Sequence, residues 1–193
     1  MRTKFDDEEP EDVIREASEI ATRAFALFAV VGTALGAPKP EAIEWLRAES
    51  LWDALSPAEV SFLTNEPPSE RQRVNASWRS EALLMLLWSL GAIDQLPGLN
   101  EQCSPGEFQA ILPPFAEVEV RDFIATAHRR PDVELLQMAE SLLNSHWEAR
   151  DARFNGRPMP SHLNIGIVQE RHHGINWVIG YEGLPWDEVT TDT

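Results

Sequence analysis

The segment at residues 78–91, WRSEALLMLLWSLG, constrains the fold most, because it is apolar on nearly every side of a helical wheel. A helix of this kind needs neighbours on both sides. Gly91 is the residue type that commonly follows a helix end, and Asn75 or Ser77 can cap the start. The sequence therefore predicts a buried central helix over residues 78–91, around which the rest of the chain packs.

Other helices are predicted where apolar residues recur every three or four positions. They are expected over 11–35, 41–49, 57–63 and 132–154. Ser56 and Glu59 match a capping box at the start of the third of these helices, and Ser104 and Glu107 repeat the pattern. A second start signal at Ser69 and Gln72 leaves open whether the central helix begins there. Residues 118–128 fit a strand or a helix, and residues 161–180 fit a helix capped by Ser161 better than a hairpin around RHHG.

The expected fold is all-α, a single-domain multi-helix bundle with a possible minor β element. Residues 1–9 are expected to be a flexible acidic N-terminus, and residues 10–193 one helical domain. At 193 residues and 43% hydrophobic content the chain can form a core of its own. Several positions of the helix at 132–154 are expected to face that core: Leu135, Leu136, Ala139, Leu142, Leu143, His146, Trp147, Arg150 and Phe154.

Composition argues against several kinds of partner. The formal net charge of −16 opposes attraction to nucleic acids and anionic membranes. The apolar run at residues 24–38 is too short to span a bilayer, and the acidic segment before it is unlike a signal peptide. Cys103 is the single cysteine, so no internal disulfide can form and a cytoplasmic location is expected.

Sequence runs distributed along residues 45–193 resemble a family known as domain of unknown function 4272 (DUF4272). The runs are WRSEAL with LLWSLG, ER followed by NW, and a terminal W with DT. The resemblance implies a soluble, mainly helical bacterial protein without an established activity. Its polar positions fall on Arg79, Glu81, His146, Arg150, Glu170, Arg171, Asn176, Trp177, Trp186 and Asp192. Gly174 stands where the resemblance leads us to expect alanine.

Known catalytic motifs are not found in the sequence. The H-x-E at His146 lacks the cysteine half of a zinc deaminase signature, and there is no HExxH, GxSxG, P-loop or GxGxxG. His172 and His173 could hold a metal together with Glu170 or with the carboxylates near the C-terminus. However, adjacent histidines on a helix point in different directions, which favours a solvated pair. We therefore assign no catalytic residue, metal or cofactor.

Charged groups at positions predicted to face inward form the candidate site. The ligand-binding candidates are Arg79, Glu81, His146, Arg150, Glu170 and Arg171. They predict either a polar pocket beneath the central helix or a buried ion-pair network that joins helices. The network is the preferred interpretation, because structural ion pairs use the same residue types.

Two classes of function fit the sequence. The preferred one is a non-catalytic interaction or accessory protein, with a basic protein as the partner that the acidic charge favours. The other is a small-molecule-binding protein or enzyme that uses Glu81, His146, Arg150 and Arg171. A homodimer is left open, and neither nucleic acid nor membrane is expected as a partner.

Overall fold

The computed structural model describes residues 12–65 and 67–192. Its α-helices are α1 (Ala17–Ala34), α2 (Lys39–Ala48), α3 (Pro57–Thr64), α4 (Glu70–Ser89), α5 (Val120–Thr126), α6 (Asp132–Phe154) and α7 (Ile165–Ile179). Short 3-10 helices lie at Trp52–Ala54, Pro105–Ala110, Tyr181–Gly183 and Trp186–Glu188. The all-α prediction is confirmed. The predicted flexible N-terminus, residues 1–9, lies outside the described residues.

The predicted minor β element is wrong, since the described residues contain no strand. α7 occupies the segment for which a hairpin was the rival prediction. Residues 165–179 can be a helix because Asn164 caps the start, accepting a hydrogen bond from the Gly166 amide at 2.9 Å, and Gly180 adopts a left-handed conformation at the end. The cap predicted at Ser161 is therefore wrong by one turn.

The central helix is α4, and it is one continuous helix. It begins at the capping box of Ser69 and Gln72, which answers the question that the sequence left open. Every residue from 80 to 90 is buried. α1 packs against one side of α4, and α7 packs against another side of α4. α6 in turn packs on α7. An apolar surface all around the helix is satisfied only by such an arrangement.

Gly174 allows α7 to approach α4 closely. A Cβ atom at this position would lie 3.0 Å from the Ala82 carbonyl oxygen and 3.1 Å from the Met85 Cβ. An alanine, which the family resemblance led us to expect, would require the two helices to move apart slightly. The glycine thus sets the spacing between the two helices that carry most of the candidate site.

α1 begins later than predicted, at Ala17 rather than near residue 11. The residues before it run along the end of α7, where the Arg15 amide donates to the Val178 carbonyl at 2.9 Å and its side chain bonds the Trp177 carbonyl at 2.8 Å. α1 has the length and apolar composition of a membrane span, over 18 residues rather than the shorter run considered above, but 72% of that window is buried within the fold.

One local prediction from the sequence is confirmed, and one local alternative is resolved. Ser56 and Glu59 form a capping box at the start of α3, with Pro57 in its first turn. α5 shows that residues 120–126 are helical, so the strand interpretation of that region is excluded. By contrast, Ser104 makes no side-chain cap at the 3-10 helix that follows it.

α6 spans the predicted residues, but the stripe predicted to face the core is wrong in about half of its members. The buried residues of α6 are Leu135, Ala139, Leu142, His146, Ala149 and Ala152. The remaining members of the predicted stripe are exposed, namely Leu136, Leu143, Trp147, Arg150 and Phe154. The apolar residues of α6 therefore form two stripes, one against α7 and one facing outwards, which residue spacing alone merges into one.

Candidate functional site

Glu81 on α4 and Arg171 on α7 form a buried ion pair between the two helices. The Arg171 Nε donates to the Glu81 Oε2 at 2.8 Å, and both side chains are only 1% exposed. The other Arg171 nitrogens donate to the carbonyls of Pro97 at 2.6 Å and Glu101 at 3.1 Å. Arg171 is thus the partner that the buried Glu81 carboxylate requires.

The loop between α4 and α5 completes this pair. The Cys103 amide donates to the Glu81 Oε1 at 2.7 Å, so both carboxylate oxygens accept a hydrogen bond. Burial, and then the nearby Glu81 carboxylate, raises the pKa of the Cys103 thiol to about 12. The thiol is therefore protonated at neutral pH and unreactive. Glu81 and Arg171 are paired and closed to solvent, as the structural interpretation of the cluster predicted.

Arg79 and Glu170 form a second pair between the same helices. Their Nη1 and Oε2 atoms are 3.0 Å apart, and the side chains are partly exposed. Burial raises the pKa of the Glu170 carboxyl, although the Arg79 guanidinium opposes this shift. The Arg79 guanidinium also lies 5.7 Å from the ring centroid of Trp186. This pair ties α4 and α7 to the C-terminal segment.

His146 on α6 meets His172 on α7, which the sequence analysis considered only as a metal ligand or as a solvated residue. Their Nδ1 atoms are 3.1 Å apart and the rings are nearly perpendicular. Burial lowers both pKa values, that of His172 to about 4, and the Arg150 guanidinium lowers that of His146 further. Both rings are therefore neutral at pH 7, so one donates a hydrogen bond to the other.

The prediction that His172 and His173 form a solvated pair is wrong, because both are buried. They do point in different directions, as expected for neighbours on a helix. His173 contacts Trp186, with the ring centroids 4.7 Å apart. Burial, reinforced by Arg79 and Arg23, lowers the pKa of His173 to about 3. Trp186 is itself buried.

Arg23 and Glu59 form a buried ion pair that sequence reasoning missed. Their side chains are 4% and 7% exposed, and the Arg23 guanidinium lies 4.1 Å from the ring centroid of Trp186. Arg23 also donates to the Ala54 carbonyl at 2.7 Å. The sequence signal that was available is Arg23 itself, a single arginine within α1 directly before the apolar run at residues 24–38. A charge in such a place requires a buried partner.

An open groove of about 510 Å³ lies between α6, α7 and the C-terminal segment. His146 and Arg150 are among its lining residues, together with Arg153, Gln169 and Thr191. The six predicted residues therefore do not share one pocket. Glu81 and Arg171 form a closed pair, Arg79 and Glu170 form a half-buried pair, and His146 with Arg150 contributes to this groove.

In the described part of the chain, no three side chains of histidine, cysteine, aspartate or glutamate converge on a position that could hold a metal ion. The arginines of the groove, with a neutral histidine below, have the chemistry to bind an anion. The paired groups elsewhere connect secondary-structure elements.

The family model for the domain of unknown function DUF4272 matches residues 4–189. The chain therefore belongs to this family, and the match covers more of the N-terminal region than the resemblance noted from residue 45 onwards. Comparison with curated proteins and with solved structures finds no match.

We expect the two arginines Arg171 and Arg150 to differ sharply when each is replaced by methionine. Arg171→Met leaves the Glu81 carboxylate buried and unpaired, which should lower the free energy of unfolding by about 3–5 kcal/mol. Arg150 is exposed, so Arg150→Met should cost less than about 1 kcal/mol. Urea unfolding of both variants measures this, and equal losses would contradict the closed-pair assignment.

The buried histidines should make the protein less stable in acid. Because burial lowers the pKa of His172 from 6.5 to about 4, the unfolded chain binds a proton there between these pH values and the folded protein does not. The free energy of unfolding should therefore fall as the pH decreases from 6.5 towards 4. His172→Gln should make this decline shallower by about one proton, whereas His162→Gln, at an exposed side chain, should leave it unchanged.

Proposed function

We propose that this member of the DUF4272 family is a non-catalytic interaction protein that binds its partner through the outer stripe of α6. We define the outer stripe as the face of α6 carrying Val133, Leu136, Leu143, Trp147 and Phe154. These five apolar side chains are between 40% and 90% exposed. Single exposed apolar residues are ordinary, but five of them on one face of a single helix, interrupted by two charged positions, are typical of a binding surface.

The closed Glu81–Arg171 pair supports this proposal over an enzymatic one. The alternative from sequence required Glu81 and Arg171 to reach a ligand together with His146 and Arg150. Glu81 and Arg171 instead form hydrogen bonds with each other and with the loop at residues 97–103. What remains for binding lies on α6. The single, buried Cys103 fits the cytoplasmic location that we propose with this function.

A photo-crosslinking amino acid at position 147, in the cells that naturally produce the protein, tests the proposal. Trp147 lies in the middle of the outer stripe, so a partner bound there should be captured in an adduct of defined mass. The matched control places the same amino acid at Val74, an exposed apolar position on α4. We expect an adduct from position 147 and none from position 74.

The adduct should also depend on the remaining stripe. Phe154→Ser removes an apolar side chain that is 90% exposed and should suppress crosslinking at position 147 without changing the melting temperature. An absence of adducts from position 147, or adducts that persist after Phe154→Ser, would contradict a binding role for this surface.

A second candidate function is anion binding in the groove beside α6. The specific observation is that Arg150 and Arg153 line an open groove with His146. Inorganic phosphate should then raise the melting temperature of the native protein and of Arg73→Met, an exposed arginine on α4. Arg150→Met should abolish the increase. Equal shifts in all three proteins would exclude the groove as the binding site.

A further inference from the structure

The outer stripe of α6 has the residue spacing of a helix that pairs with another helix. Positions 133, 136, 140, 143, 147, 150 and 154 follow one another in alternating steps of three and four. This is the a and d pattern of a coiled-coil seam. Five of these positions carry exposed apolar side chains. The other two carry Glu140 and Arg150, which are both exposed.

We infer that the partner of the outer stripe is a second copy of this chain, bound in antiparallel orientation through α6. The inference rests on the proposed binding role of this surface and specifies its occupant. The argument depends on the order of the residues along the stripe, because the stripe is complementary to itself when reversed.

The self-complementarity follows from a two-fold axis that passes level with residue 145. Leu143 then faces Trp147 of the partner subunit, and Leu136 faces Phe154 of the partner subunit. In the same register, Glu140 faces Arg150 of the partner subunit. Each a position meets a d position, which is the arrangement in antiparallel coiled coils. Every apolar residue of the outer stripe between positions 136 and 154 thus meets an apolar residue, and the two charged residues meet opposite charges.

Other registers lose this match. Shifting the antiparallel helices by one heptad places Glu140 opposite Leu143, or Arg150 opposite Trp147. A parallel pair places Glu140 beside Glu140 and Arg150 beside Arg150. Like charges and charges opposite apolar groups both disfavour a seam. The antiparallel register centred on residue 145 is therefore selected by the two charged positions.

The charge distribution also permits approach of a second copy at this surface. The chain as a whole carries a formal charge of −16, so two copies repel each other over most orientations. Residues 129–157 contain five arginines and five carboxylates, so this segment is formally neutral. An antiparallel pair also places each helix N-terminus beside the C-terminus of its mate, a favourable arrangement of the helix dipoles.

Sedimentation equilibrium on the full chain tests the inference through charge reversal. The native protein should dimerise. Glu140→Arg and Arg150→Glu should each weaken the dimer, since each creates two like-charge contacts, and we expect the dissociation constant to rise about tenfold. The double variant carrying both substitutions restores opposite charges and should return the dissociation constant close to the native value.

The control is the fold of each variant, followed by circular dichroism and melting temperature, because all substituted side chains are exposed. Weakening by both single variants with recovery in the double variant supports the register. A native protein that is monomeric at high concentration overturns the inference, as does a double variant as weak as the single ones.

Cysteine crosslinking tests the orientation independently. Leu143→Cys and Trp147→Cys proteins, mixed in equal amounts and oxidised, should form a covalent dimer, because these positions face each other only in the antiparallel register. Either variant alone should crosslink poorly, whereas a parallel dimer would give the opposite pattern. The native Cys103 is buried and should not contribute; the unsubstituted protein is the control.

The crosslinking at position 147 in cells separates the two proposals. An adduct with the mass of two copies supports the self-pairing. An adduct with a different protein, combined with a monomeric native chain, overturns the self-pairing and leaves the proposed binding role of the stripe intact. No adduct contradicts the binding role itself.

Discussion

The ion pair between Glu81 and Arg171 is the interaction on which the arrangement of the fold depends. Two charges that are 1% exposed are tolerated only when each polar atom has a partner. Satisfying them requires α4, α7 and the loop at residues 97–103 to meet at one point. Gly174 permits the helix contact beside them. The pair therefore specifies how these elements are placed, whatever its net contribution to stability.

The closed Glu81–Arg171 pair also restricts where a ligand or partner can bind. With Glu81 and Arg171 closed to solvent, the candidate binding surfaces lie on α6, namely the groove that Arg150 helps to line and the outer stripe. α6 has one apolar stripe committed to α7 and a second facing outwards. The fold covers the first stripe, and we propose that a binding partner covers the second.

Several parts of the fold could be predicted because their signals are local. The capping box at Ser56 and Glu59 and the apolar segment at residues 78–91 needed no knowledge of the tertiary structure. The candidate site was predicted less well. Glu81 and Arg171 were recognised as inward-facing charges, but Arg150 was placed inside and His172 in solvent. Those errors have one cause, since periodicity identifies a stripe without telling which neighbour covers it.

The sequence by itself determined most of the helical segments, that α4 must be buried all around, and that charged residues would meet in the core, because propensity, capping and periodicity act within a few residues. The tertiary structure alone decided the partners. It joined Arg23 to Glu59, which lie 36 residues apart, and His146 to His172, and it left Trp147 and Phe154 uncovered. Such pairings depend on how helices distant in sequence cross, and no local pattern encodes that geometry.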